Sequence, residues 1–271
     1  MRALGMELAA ARVWAGKTTL QAARGIGSSP ATVNRTEKAN RVSPIVDVAS
    51  LLTLYGITGP DRQRILDLTR DLDAQDWLET VDRSRRLLPT LVGFESSARA
   101  LVDFDNAVIP GLLQTPAYLR ALLTIAGITA SAHERYVDAR IDRQNVLAKL
   151  AAPTYTAIID EAILRRPCGG SEVMVQQINW LIGRAQLPHV NVHVIPARHG
   201  MYANWGPFRW MGFADQPAVV YVENSGVAGF IDAPDQVSGF EDRTAALMKV
   251  ALGSADTVNF LARMVADYER S

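Results

Sequence analysis

The sequence predicts an α+β chain in which a small all-α bundle precedes a larger domain of mixed helix and sheet. Three observations lead there. Residues 1–58 carry four short stretches of helical periodicity separated by turn residues. Alternating, β-branched runs typical of strands occur later, from Thr154 onward. A length of 271 residues exceeds what one small module needs and suits such a module plus a domain of roughly 200 residues.

The first helix follows from Leu4, Leu8, Ala11 and Ala15, with Gly16 as its stop. A second fits from Thr18 or Thr19 to Ile26, closed by Gly27. Ser28 or Ser29 caps a third, with Pro30 in the first turn, where its missing N–H costs nothing. Ser43-Pro44 opens a fourth in the same way, running through Ile45, Val48, Ala49, Leu52 and Tyr55 to Gly56. A charged helix with Ile65, Leu68 and Leu72 on one face comes next, then a linking segment from Trp77 to Pro89. The expected domains are 1–58, a helical connector at 59–88, and 89–271.

In the larger domain Thr115 caps a helix with Pro116 at its first position and Tyr118, Leu122 and Ile125 as its stripe, ending at Gly127. "SAHE" reads as a capping box from Ser131 to Glu134. Strands are expected at 154–160, 190–195, 207–213 and 218–223, and helices at 171–185, 235–252 and 254–268.

Hydrophobic content of 48% and charged content of 21% supply a core and argue against wholesale disorder. No run of about 18 apolar residues occurs, and polar residues interrupt the N-terminus where a signal peptide has an unbroken apolar block. The expectation is a soluble cytoplasmic protein with no membrane partner. The single cysteine, Cys168, has no second cysteine for a disulfide or a metal pair. Formal net charge is zero, which speaks against a nonspecific nucleic-acid coat, but the charge is uneven. Residues 1–58 hold seven Lys or Arg against three acidic residues, a net of +4, leaving −4 on the remainder. A basic small domain tied to an acidic larger one suits a DNA reader carrying a sensor or partner domain.

The stretch "GIGSSPATVNRTEKANR" carries a more specific signal. With its flanks it resembles the lambda-repressor or Cro (XRE) type of helix-turn-helix through Ala23, Gly27, Ser29, Pro30, Thr32, Val33, Arg35, Glu37 and Pro44. The resemblance implies that helix 3 enters the major groove, with Ser29, Ala31, Thr32 and Arg35 at or near base edges and Thr19 and Asn34 nearer the phosphates. The chemistry agrees: Arg35 can fork onto guanine O6 and N7, and Thr32 can offer a hydroxyl to a base or a methyl to thymine. Several positions depart from the pattern. Lys17 and Thr36 replace apolar residues, Ala22 replaces Leu, Thr19 replaces Gln, and Ala39 takes the place of the helix-ending Gly beside Asn40. The expected result is a thinner core, with Leu20 and Trp14 available to refill it.

Five motifs in order, "IPGLLQTPAYLRALL", "RIDRQNVL", "IIDEAILRRPCGG", "LPHVNVHVIP" and "VVYVE", resemble the large C-terminal domain of actinomycete antitoxin-like transcriptional regulators. That resemblance implies a regulator with a small toxin-like protein partner or a small-molecule effector.

No phosphate loop, nucleophile elbow or His-Glu-x-x-His helix appears, so no catalytic residue, metal or cofactor is assigned. Asp160-Glu161 before Arg165-Arg166 reads as a strand-to-helix junction with ion pairs, and His189 and His193 on one strand lie about 13 Å apart, too far for one ion. Tyr202, Trp205, Phe208, Trp210 and Tyr221, with Asp160, Glu161 and His193, are the candidate wall of a small-molecule pocket. The expected function is therefore a homodimeric, sequence-specific regulator bound to a double-stranded DNA operator. The alternative is a repurposed small-molecule-binding protein or cyclase-type enzyme using the C-terminal domain.

Overall fold

In the computed structural model, which describes residues 2–39, 43–70, 76–224 and 227–270, the helices of the N-terminal bundle begin and end where the capping and glycine signals fall. These are α1 (Arg2–Trp14), α2 (Thr19–Gly25), α3 (Pro30–Glu37), α4 (Ile45–Leu54) and α5 (Gly59–Arg70). Gly16, Gly27 and Gly56 take φ of 63°, 66° and 73° at the stops, a region that a side chain makes costly. Thr18 caps α2 through a reciprocal pair that the T-x-x-Q spacing announces: Gln21 N–H donates to Thr18 Oγ1 at 3.2 Å and Thr18 N–H to Gln21 Oε1 at 2.8 Å. Ser29 Oγ accepts from Thr32 N–H at 3.1 Å and starts α3.

The fourth helix starts differently from expectation. Pro44, whose ring has no polar atom to offer, is the cap residue of α4, and the Ser43 hydroxyl is instead 2.7 Å from Thr36 Oγ1 in a buried pair. That pair also explains how a polar residue replaces an apolar one at Thr36: each hydroxyl satisfies the other out of water. The core joins Leu4, Leu8, Ala22, Ala23, Val33, Val48, Leu51, Leu52, Tyr55 and Ile65.

Leu20 and Trp14 do not refill it, being 46% and 77% exposed. Residues two apart on a helix point about 200° apart, so an inward Ala22 turns Leu20 out. Close backbone approach makes up the volume instead. A Cβ on Gly5 would lie 2.5 Å from Glu37 O, and one on Gly25 would lie 2.6 Å from Leu54 Cδ2. Ala39 itself adopts the left-handed conformation, at φ 56°; Asn40 and Leu72 lie outside the described residues.

A strand, β1 (Asp76–Thr80), and the helix α6 (Val81–Ser97) occupy the segment expected to be a linker. Pro89 sits inside α6, with Leu87, Leu91 and Phe94 buried at helical spacing on either side of it. Tertiary burial outweighs the lost N–H there. The chain divides into two compact units, Met1–Phe94 with Val227–Phe230, and Glu95–Gly226 with Ile231–Ser271.

The second unit contains β2 (Ala100–Asp105), α7 (Pro116–Ile125), α8 (Ala130–Gln144), β3 (Thr154–Asp160), α9 (Glu161–Arg165), α10 (Ser171–Arg184), β4 (Val190–Ile195), β5 (Phe208–Gly212), β6 (Val219–Asn224), α11 (Pro234–Val250) and α12 (Ser254–Arg270). A further strand, β7 (Val227–Ile231), starts in the segment grouped with the first unit. The sheet order within the second unit is β6-β5-β2-β3-β4, with β2, β3 and β4 mutually parallel and β5 antiparallel to both β2 and β6. The expected α+β class therefore holds.

Strand β2 was not anticipated, because the acids in "ALVDFD" disguise it as surface. Two local expectations also change. Ile125 is 71% exposed, and Tyr118 and Leu119 carry the buried side of α7. Thr129 takes the cap position of α8 without a side-chain bond, and Glu134 accepts from Arg120 at 2.8 and 2.9 Å instead of closing a capping box.

Candidate functional site

Helix α3 turns Val33 and Thr36 inward and leaves Ala31, Asn34, Arg35 and Lys38 exposed. The spacing i, i+3, i+4, i+7 lines these four along one outward face. Ser29, at the head of the helix, is exposed, and Thr32 and Thr19 are half-buried. Ser29 Oγ and Thr32 Oγ1 are 2.9 Å apart, so the two hydroxyls are held together at the N-terminal end. The Arg35 guanidinium makes no hydrogen bond or ion pair with any described residue. Thr19, Ser29, Ala31, Thr32, Asn34 and Arg35 thus sit on two adjacent short helices, with the outward ones on a single stripe.

The stripe is braced from behind. Arg12 donates through Nε and Nη2 to the two oxygens of Glu37 at 2.7 and 3.0 Å and through Nη1 to Lys17 O at 2.9 Å. One side chain thereby ties α1 to the end of α3 and to the turn before α2. Tyr55 lies beneath, its hydroxyl pKa raised by burial and by the nearby Glu37 carboxylate. Glu37, part of the sequence motif, is therefore a brace for the outward face of α3 rather than a member of it.

The candidate pocket residues of the second unit are divided between the two faces of the sheet. Residues Phe208 and Trp210 pair with Val222 and Val220, whereas Tyr221 pairs with Arg209, so strand parity sends Tyr221 to the opposite side. Phe208 packs 5.1 Å from Phe240 and 5.9 Å from Phe104 between ring centroids, and Tyr202 meets Phe104 edge-on at 6.2 Å. Trp205 is 75% exposed, with the Arg243 guanidinium 5.9 Å from its ring.

Asp160 caps α9, accepting from Ala162 N–H at 2.7 Å, and also accepts from the Tyr202 hydroxyl. Glu161 is buried, paired with Arg165 and accepting from Ala197 N–H at 2.7 Å. Arg166 diverges from Arg165, toward Asn106 O. His193 Nδ1 and His189 Nε2 each bond a backbone carbonyl at 2.9 Å, those of Leu252 and Leu147.

On the other face lies a set of side chains that residue patterns did not single out. Arg209 bridges the buried carboxylates of Asp103 and Glu95. Arg143 donates to both Glu95 oxygens at 2.7 Å, and the Tyr155 hydroxyl donates to Asp103 Oδ2 at 2.7 Å. Burial alone would push the Glu95 pKa up, but Arg209 and Arg143 together bring it below the ordinary value. The available signal was the alternation of Asp103 and Asp105 with Val102 and Phe104, which reads as one polar and one apolar face.

Comparison with known families agrees with both halves of this description. Residues 3–65 match a helix-turn-helix domain, which places the N-terminal bundle with DNA-binding regulators. Residues 88–263 match the family described as domain of unknown function (DUF5753), and the chain belongs to that family. No curated protein and no solved structure gives a significant match. Among the described residues no helix is long and apolar enough to cross a membrane.

Proposed function

We propose that the chain is a sequence-specific, antitoxin-like transcriptional regulator that binds a double-stranded operator as a homodimer. The second unit supplies the site for a small toxin-like protein or a small-molecule effector. The observation that carries this reading is the outward stripe of α3, where Arg35 stands without a partner among the described residues beside Thr32 and Asn34. A guanidinium so placed can fork onto a guanine edge in the major groove. A dimer of such heads fits half-sites about 34 Å apart, or a multiple of that.

Selection of bound sequences from a random duplex pool tests it. The expected result is an enriched inverted repeat whose affinity falls with added salt and drops roughly ten- to hundredfold in Arg35→Ala. A folded protein that enriches no sequence defeats the reading. The alternative, a repurposed small-molecule-binding domain, draws its support from the charged face of the sheet, and turnover of a small molecule without any selected sequence would favour it.

A further inference from the structure

Among the described residues of the second unit, three buried side-chain polar atoms have no hydrogen-bond partner: Gln114 Oε1, Arg184 Nε and Trp210 Nε1. The first two belong to residues that line one cavity of about 260 Å³, together with Thr115, Pro116, Ile141 and Trp180. None of the residues expected to wall a pocket lines it. Its frame is set by three glutamines. Gln177 of α10 accepts from Thr115 N–H at 2.7 Å and donates to Leu113 O at 2.8 Å, and Gln144 of α8 donates to Gln114 O at 2.8 Å. Gln114 itself donates through Nε2 to Ile109 O at 2.7 Å. The segment 109–116 is thereby pinned to the two helices that complete the cavity, with Ile141 on α8 and Trp180 and Arg184 on α10. Gln177, Trp180 and Arg184 follow the spacing i, i+3, i+7 and so share one stripe of α10.

The two stranded atoms are held by that frame and differ in kind. Gln114 is 3% exposed, and turning its amide over would set oxygen against the Ile109 carbonyl, so the atom left over is an acceptor. Arg184 lies with its Cζ 4.6 Å from the centre of the Trp180 ring, a contact that fixes the guanidinium on that wall. The side chain is half-buried, and only Nε is both sealed from water and unpartnered among the described residues. Folding therefore strands one N–H donor there rather than the charge. Buried polar atoms almost always find partners, and an acceptor and a donor left open on one cavity are completed by a ligand carrying the converse pair.

We propose that this cavity binds a small, neutral, planar cyclic amide. Its N–H donates to Gln114 Oε1, its carbonyl accepts from Arg184 Nε–H, and its ring lies against Pro116, Ile141 and Trp180. An amide carries both functions in one small group. A carboxylate answers the arginine but turns its oxygens toward that of Gln114 and brings no donor for it. A volume of about 260 Å³, under the usual range of about 300–1,000 Å³, suits one or two fused rings. As an effector site the cavity rests on the regulatory reading above; as a binding site it is tested without DNA, so the two fail separately.

The test is thermal unfolding of the full chain with 2-pyridone, 2-quinolone, their N-methyl derivatives and quinoline-2-carboxylate, in wild type, Arg184→Lys and Ile141→Trp. The first two present the amide edge, the N-methyl compounds lack the donor, and the carboxylate replaces the amide by an anion. At least one of the two amides is expected to raise the wild-type Tm by about 2 °C or more in a saturable way. The N-methyl compounds and the carboxylate are expected to give no saturable shift. Arg184→Lys keeps the charge and removes Nε–H, and half-saturation is expected to need at least about tenfold more amide. Ile141→Trp keeps both polar atoms and fills the cavity, and the shift is expected to vanish. Both positions are half-buried, so neither variant removes a core residue. The proposal is overturned if neither amide shifts Tm, if an N-methyl compound or the carboxylate matches the amides, if half-saturation is unchanged in Arg184→Lys, or if the shift survives Ile141→Trp.

Discussion

On one face of the sheet in the second unit, Phe104, Ile158, Phe208 and Val220 meet Val237, Phe240 and Leu247 of α11. On the other, the same strands present Asp103, Tyr155 and Arg209 to Glu95 and Arg143. The two faces share a backbone and differ by one residue of register, since successive side chains of a strand point to opposite sides. The apolar face gains stability in proportion to area removed from water and tolerates substitutions that keep volume. The charged face gains little from its pairs as such, because desolvation offsets their attraction, yet it fails when one member is removed and the rest are stranded. One face is tolerant and the other is all-or-none.

The largest effect that would sharpen this contrast is expected from Arg209→Met. It strands the buried carboxylate of Asp103 and leaves Glu95 to Arg143 alone, and its expected cost is about 3 to 5 kcal/mol in urea unfolding. A loss under about 1 kcal/mol would break the comparison by showing that the network is dispensable. Leu247→Ala, on the apolar face, is expected to cost about 2 to 4 kcal/mol, with the same cost at pH 5 and pH 8 because no titrating group is touched.

The smallest effect is expected from Asp105→Asn. A carboxyl whose pKa rises on folding contributes stability that is complete below its unfolded value of about 3.9 and is lost as pH climbs through the folded value. Asp105→Asn should therefore gain on wild type as pH rises from 4 to 8, measured by thermal unfolding. A difference that stays constant over that range would show that Asp105 is not held in a disfavoured state.

How much of this could be read beforehand varies from element to element. Thr18, Ser29 and Thr115, with Pro30, Pro116 and the turn glycines, announced their helix ends, since a cap needs only residues within one turn of itself. Runs such as "TYTAIID" and "VNVHVI" announced β3 and β4, which appear with the expected limits, because alternation and β-branched residues are signals held within the strand itself. Strand β2 was hidden by the acids that make it informative, and Pro89 hid a helix that burial sustains. Ala31, Asn34 and Arg35 are exposed on α3, and the candidate residues of that helix were legible through the resemblance to the helix-turn-helix pattern. The pocket wall was not, since Tyr221 and Trp210 look alike in sequence and only strand pairing separates them.

The sequence by itself determined the α+β class, the capped helices of the bundle and the strand runs of the larger domain. These depend on periods of 3.6 and 2 residues and on caps that act within a single turn. Only the tertiary structure decided that Ser43 serves Thr36, that Glu37 is held by Arg12, and that Glu95, Asp103, Arg143 and Arg209 form one network while Arg140 is set against Gly111. Those contacts join residues between 7 and 114 positions apart. The partners of a buried charge are chosen by the fold that removes it from water, and no local period encodes that choice.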